Sequence, residues 1–177
     1  KWRQSFKEYC NKQYYGLWAA AMKQLRSEEA DPCIWLQGPA NYLFRTNGIC
    51  WGMDPAFRNP VLFQQLQCRF EKDLAVLRFV VLTHGHEDHY NVELIRHLRE
   101  LPVMWVVPDF LMDDFISQTD MAVEKIISIQ AGQRINIEGI TIEAFTGLHK
   151  DEGAKKGYPS LGYYIDTGNM RLLFPGD

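Results

Sequence analysis

The stretch VVLTHGHEDHYN occupies residues 80–91. Its first residues close an apolar run, LAVLRFVVL (74–82), that reads as a strand buried on both faces. Its last residue opens NVELIRHLRE (91–100), whose apolar positions recur every three or four residues and predict a helix. Between them stand His84, His86 and His89, three of the chain's five histidines, together with Glu87 and Asp88. The segment therefore leaves the carboxyl end of a strand, where α/β proteins place their chemistry. In extended backbone, residues two apart point the same way, so His84 and His86 address one point. Asp88 and His89 are adjacent and address a neighbouring one. Imidazoles packed this closely would repel one another if protonated, whereas a shared cation explains their company. Imidazole and carboxylate are ligands that zinc, manganese and iron accept. For Asp88 or Asn91 the ordinary alternative is a helix cap.

Working outward, VMWVVP (103–108) repeats the buried-strand pattern, and residues 59–71 and 109–119 read as helices. This alternation predicts α/β layering. Upstream, CIWLQGPANYLFRTNGICWGMDPAF (33–57) breaks into three short strand-like runs, 33–37, 41–45 and 48–53. Asn47-Gly48 lies between the last two, and a type I′ turn, with positive φ at both central residues, suits that pair. Further out, Phe6, Tyr9, Cys10, Tyr14, Leu17, Trp18, Ala21 and Leu25 mark one face of a helix ending near Ser27. Its aromatics Trp2, Tyr15 and Trp18 are expected to dock on the protein's own core. Past residue 120 the texture changes. KIISI, QRINIEG, ITIEAF, LGYYIDTG and MRLLFPGD are short alternating runs with glycine-containing turns, and together predict a β meander. The expected organisation is a helical extension over 1–32, packed on a domain over 33–177.

The bulk properties narrow the function. A net charge of −3 argues against a nucleic-acid backbone binder, which shows a basic face. No window reaches the ~18 apolar residues of a membrane span, and KWRQSFKEYC has no apolar core of a signal peptide. Cys10, Cys33, Cys50 and Cys68 are widely spaced, without a C-x-x-C pair, so reduced thiols in a cytoplasmic protein are expected.

The run His84-Gly85-His86-Glu87-Asp88-His89 resembles the H-x-H-x-D-H signature of the metallo-β-lactamase-fold hydrolases. Other landmarks fall in the family's order. GICWGMDP resembles its early strand ending in Asp, here Asp54; FTGLHKDEG offers His149 as the next metal histidine; LLFPGD resembles the strand that supplies a bridging carboxylate, here Asp177. The resemblance spans roughly residues 33 to 177. It implies an αββα sandwich of the α/β (α+β) class, preceded here by an N-terminal helix. It also implies two divalent metal ions, zinc first and manganese or iron as alternatives. His84, His86 and His149 would hold one, Asp88 and His89 the other, and Asp177 would bridge them, with Asp54 orienting a ligand histidine. The family completes its second site with a further histidine downstream of the bridging aspartate, and none follows His149. With a start at Lys1 and an end at Asp177, the chain reads as the front portion of a longer hydrolase, completed by a further segment or a second chain.

The activity so implied is hydrolysis by a hydroxide generated between the two metals, whose charge lowers the pKa of water from 15.7 to about 7. Asp88 would orient that nucleophile or shuttle its proton. A small ester, lactone or related substrate is expected, and the general look is similar to the L-ascorbate-6-phosphate lactonase-related branch. A phosphodiesterase or nuclease on the same scaffold, or a di-iron redox module, are the alternatives. No nucleic-acid or membrane partner is expected. Lys155 and Lys156 are candidates for pairing with an anionic substrate group, and Tyr90 and Tyr158 for the pocket wall. His97, in mid-helix, is set aside as a half-exposed helix residue.

Overall fold

The computed structural model describes residues 2–29, 32–38, 40–56, 64, 69–149 and 158–176. Helix α1 (Trp2–Arg26) leads into β1 (Cys33–Leu36), β2 (Tyr42–Thr46) and β3 (Ile49–Met53). Then come α2 (Phe70–Leu74), β4 (Leu77–Val81), α3 (Val92–Leu98), β5 (Met104–Pro108), α4 (Met112–Thr119) and β6 (Ile126–Ile129). Strands β7 (Arg134–Ile137), β8 (Ile140–His149), β9 (Tyr158–Asp166) and β10 (Arg171–Phe174) follow. Strands β1 to β6 form one sheet in chain order, and β10-β9-β8-β7 form a second, antiparallel sheet.

The strand alternation explains the layers, because successive side chains leave a strand on opposite faces. Leu43, Cys50, Val80, Trp105 and Val107 join Trp18, Leu25, Phe70, Leu94, Leu98 and Phe115 in a core between helices and sheet. Their neighbours Phe44, Trp51, Phe79, Val81 and Val106 meet Ile140, Ile142, Ala144, Tyr163 and Ile165 of the second sheet in another core. Phe44, Trp51 and Phe79 stack there, with ring centroids 3.9 and 5.4 Å apart. The result is a helix–sheet–sheet sandwich, as the α/β (α+β) reading anticipates.

Asn47 (φ 51°) and Gly48 (φ 78°) make the β2–β3 turn with positive φ at both positions, as that pair demands. The Asn47 amide also donates to the Thr167 carbonyl, stitching this hairpin to the second sheet.

Four expectations need correction. KIISI is not part of the meander: β6 pairs parallel with β5 in the first sheet, Trp105 opposite Ile126. Its short alternating pattern does not distinguish an edge strand of a parallel sheet from a meander strand. Leu74 belongs to α2 rather than to the following strand, and Arg78 of β4 points to solvent. Among the described side chains of α1, those that dock lie in its second half. Trp18, Ala21, Met22 and Leu25 are buried, but Trp2, Tyr9, Tyr15 and Leu17 are exposed. Finally, Tyr90 is buried in the helix–sheet core, 6.1 Å from the Phe115 ring, and not in a pocket wall. Most of the helix expected over 59–71 lies outside the described residues, as do Lys155, Lys156 and the side chain of Tyr158.

Polar contacts fix the docked half of α1. The buried Asp73 carboxylate accepts from Trp18 Nε1 at 2.7 Å and from Arg26 Nη2 at 3.0 Å, with Arg69 Nε 3.3 Å away. At the helix end, the Leu25 carbonyl accepts from Arg45 Nη1 and from the Cys50 thiol. Replacing Asp73 by Ala strands the buried Trp18 N–H and removes the partner of two arginines. Urea unfolding of Asp73→Ala should show a loss of about 2–3 kcal/mol. An unchanged midpoint would show that apolar burial alone docks the helix.

Candidate metal centre

Residues 82 and 83 prolong β4 past its last ladder pair and are gripped from both sheets. Leu82 N donates to the Val106 carbonyl of the first sheet. From the second sheet, the buried Tyr163 hydroxyl donates to the Leu82 carbonyl at 2.7 Å, and Leu161 N donates to the Thr83 carbonyl at 3.0 Å. The chain then turns sharply. The amides of His89 and Tyr90 both donate to the His86 carbonyl, at 2.9 and 2.7 Å. Asn91 caps α3 by accepting from Leu94 N, so the capping alternative holds for Asn91.

His149 arrives from the other sheet, at the end of β8, where it pairs with Tyr158. Across the sandwich it meets the loop. The ligand atoms of His84, His86 and His149 all lie within 4.8 Å of one another. Ring centroids are 4.7 Å apart for His84–His86, 5.1 Å for His84–His149 and 4.5 Å for His86–His149. Three imidazole nitrogens around one point, from two separate elements, fit a divalent metal ion. His84 is fully buried and His86 and His149 are half-exposed, so the point opens to solvent on one side.

His89 does not join that group but lies beside it, its ring 4.2 Å from that of His84. Its Nδ1 is 2.9 Å from Asp54 Oδ2. Asp54 follows β3 with a φ of 46° and is 1% exposed. Its carboxylate also accepts from Thr83 N at 2.8 Å and from the Thr83 hydroxyl at 2.6 Å. Burial pushes the Asp54 carboxyl above its ordinary range, and the bonds from His89 and Thr83 offset only part of that rise. An ionised Asp54 only accepts, so His89 must carry its proton on Nδ1 and present Nε2 outward. The same logic runs one bond further. With the Thr83 hydroxyl donating its hydrogen bond to Asp54, that hydroxyl accepts from His84 Nδ1, 2.9 Å away, and the lone pair of the His84 ring lies on Nε2.

Thus Asp54 contacts the ring of His89, and His84, His86 and His149 lie together. Asp88 is half-buried in the turn, and Asn41 Nδ2 donates to its carbonyl. Its carboxylate stands outside the three-histidine group. Asp177 lies outside the described residues. His97 sits 3.9 Å from Glu71 and its ring 6.3 Å from that of Phe70, a half-exposed helix residue. Two contributors escaped the sequence reading. Thr83 carries a signal, a hydroxyl directly before the first histidine at the end of an apolar run. Asn41, in the GPAN turn between β1 and β2, carries none that pattern reasoning detects.

Comparison with known proteins identifies the family. A family model described as a β-lactamase superfamily domain matches residues 51–177. A UPF0173 protein of Pyrococcus abyssi is 32% identical over 145 residues, covering 81% of this chain and 59% of that protein. Igni18, a metallo hydrolase from the hyperthermophilic archaeon Ignicoccus hospitalis, shares the fold with a TM-score of 0.59 at 20% identity, over 81% of this chain and 60% of that one. CmlA, a diiron β-hydroxylase from Streptomyces venezuelae, does so with a TM-score of 0.60 at 16% identity, over 82% and 29%. The chain belongs to the β-lactamase superfamily, and it spans about three fifths of the length of the curated relative it matches.

Exchanging Asp54 for Asn sets an NH2 group against a donor at one of its three contacts and loosens His89 or Thr83. Competition with a chromophoric chelator should show zinc held about 10–100-fold more weakly by Asp54→Asn. Equal affinity in variant and parent would detach Asp54 from metal binding.

Proposed function

We propose that this chain carries the metal-binding part of a divalent-metal-dependent hydrolase acting on a small ester, lactone or related substrate. The observation that supports it most directly is the convergence of His84, His86 and His149 from opposite sheets. Membership of the superfamily supports the same reading. In this reading His84, His86 and His149 hold one ion, zinc first among the candidates. His89 and Asp88, together with Asp177, would hold the other. When bound, the ions supply Lewis acidity and an activated water at neutral pH.

The protein's own residues do the rest. Thr83 and Asp54 fix the tautomers of His84 and His89, so that both rings meet a cation with a lone pair rather than an N–H. The buried side of the site, with His84 and His89 almost fully covered, keeps bulk water from competing with these bonds. The half-exposed side, at His86 and His149, is the approach for substrate. In this reading Asp88, half-buried next to His89, would accept a proton from the attacking water and return it to the leaving group. A net charge of −3 suits a small substrate better than a nucleic acid.

The test is reconstitution of the metal-free protein with zinc, manganese or iron, followed by assay on a panel of esters, lactones and bis-p-nitrophenyl phosphate. Turnover of an ester or lactone is expected to depend on added metal and to fall at least ~100-fold in His86→Ala. If His86→Ala turned over every ester, lactone and phosphodiester as well as the parent, the proposal would fail. Turnover confined to the phosphodiester would reassign the substrate class.

A further inference from the structure

The Asn41 side chain is 1% exposed and uses both amide hydrogens. Its Nδ2 lies 2.5 Å from the Asp54 carbonyl and 2.6 Å from the Asp88 carbonyl. Both partners are carbonyl oxygens, which only accept, so the nitrogen and not the oxygen of the amide must face them. Asn41 itself is anchored by its backbone, with the Asn41 carbonyl accepting from Gln37 N at 2.7 Å across the turn. That turn is shaped around the amide: a Cβ on Gly38 would lie 2.2 Å from Asn41 Oδ1.

The two carbonyls belong to residues that hold His89 from opposite ends. Asp54 holds its ring at Nδ1. Asp88 supplies the peptide that carries its backbone. Asp54 also has a left-handed φ of 46°, unusual for a residue with a side chain, and Asn41 is the donor that receives its carbonyl there. One NH2 group therefore sets both the position of the His89 backbone and the position of the carboxylate that aims its ring.

We infer that Asn41 is a positioning residue of the second metal position, locking His89 by joining the Asp54 and Asp88 carbonyls. This rests on the proposed metal-hydrolase reading for the role of His89, but the lock itself does not need a metal to be seen.

Two measurements on Asn41→Ala test it, with Asn41→Ser as the replacement should the alanine variant fail to fold. In the metal-free protein, amide exchange at His89 and Tyr90 should accelerate at least ~10-fold, while Ile142 and Ile165, paired within the second sheet, keep their parental rates. In zinc titration, the weaker equivalent should lose about 10–100-fold in affinity and the tighter equivalent, at His84, His86 and His149, should stay within about threefold. Unchanged exchange at His89 and Tyr90 would overturn the inference. So would equal acceleration at Ile142 and Ile165, which marks general destabilisation, or unchanged affinity for both equivalents. A parent protein that binds no metal would sink the functional reading, while the exchange arm would still decide whether Asn41 locks the loop.

Discussion

A carboxylate with almost no solvent contact must be fully hydrogen-bonded or it will not stay ionised, and this constraint at Asp54 organises everything around it. Three donors satisfy it: the Thr83 amide, the Thr83 hydroxyl and the His89 ring. Each lies on the segment leaving β4, while Asp54 terminates β3. The parallel pairing of β3 with β4 brings the two strand ends level, with Met53 beside Val81 and the Asp54 amide donating to the Val81 carbonyl. The sheet thus delivers an acceptor and its donors to the same height, and the side chains complete what the ladder begins.

The second sheet contributes a different kind of constraint. Its contacts with residues 82 and 83 are made to carbonyls, through Tyr163 and Leu161. They fix where the backbone goes, whereas Asp54 fixes how the rings are turned. Separation of these tasks matters, because a ligand histidine needs both a defined position and a defined tautomer. The aromatic stack of Phe44, Trp51 and Phe79 fills the space behind, so that the two sheets cannot approach or shift without overlapping side chains.

Much of this was legible in the sequence. The histidine cluster at a strand–helix junction located the site, because metal ligands from one loop must be close in sequence. The Asn47-Gly48 hairpin was legible because its backbone geometry admits few residues. Runs such as VMWVVP announced central strands because nothing polar interrupts them. What was not legible depends on partners remote in the chain. β6 looked like its neighbours downstream, and only the parallel pairing with β5 reveals which sheet it joins. Helix α1 carries apolar residues over its whole length, yet among its described side chains the buried ones lie in its second half, while Trp2 and Tyr9 are exposed. Asn41 lies 47 residues from Asp88 and 13 from Asp54, and an asparagine in a turn has many commoner reasons to be there.

His149 stands at the last ladder position of β8, opposite Tyr158. Side chains alternate along a strand, so pairing β8 one residue out of step would turn His149 to the outer surface and withdraw it from His84 and His86. Any ion bound by all three histidines therefore binds only chains whose second sheet has assembled in its proper alignment, and stabilises those chains alone by mass action. Chelation then serves as an inspection of strand assembly, rewarding the correct pairing of two sheets that share no ladder.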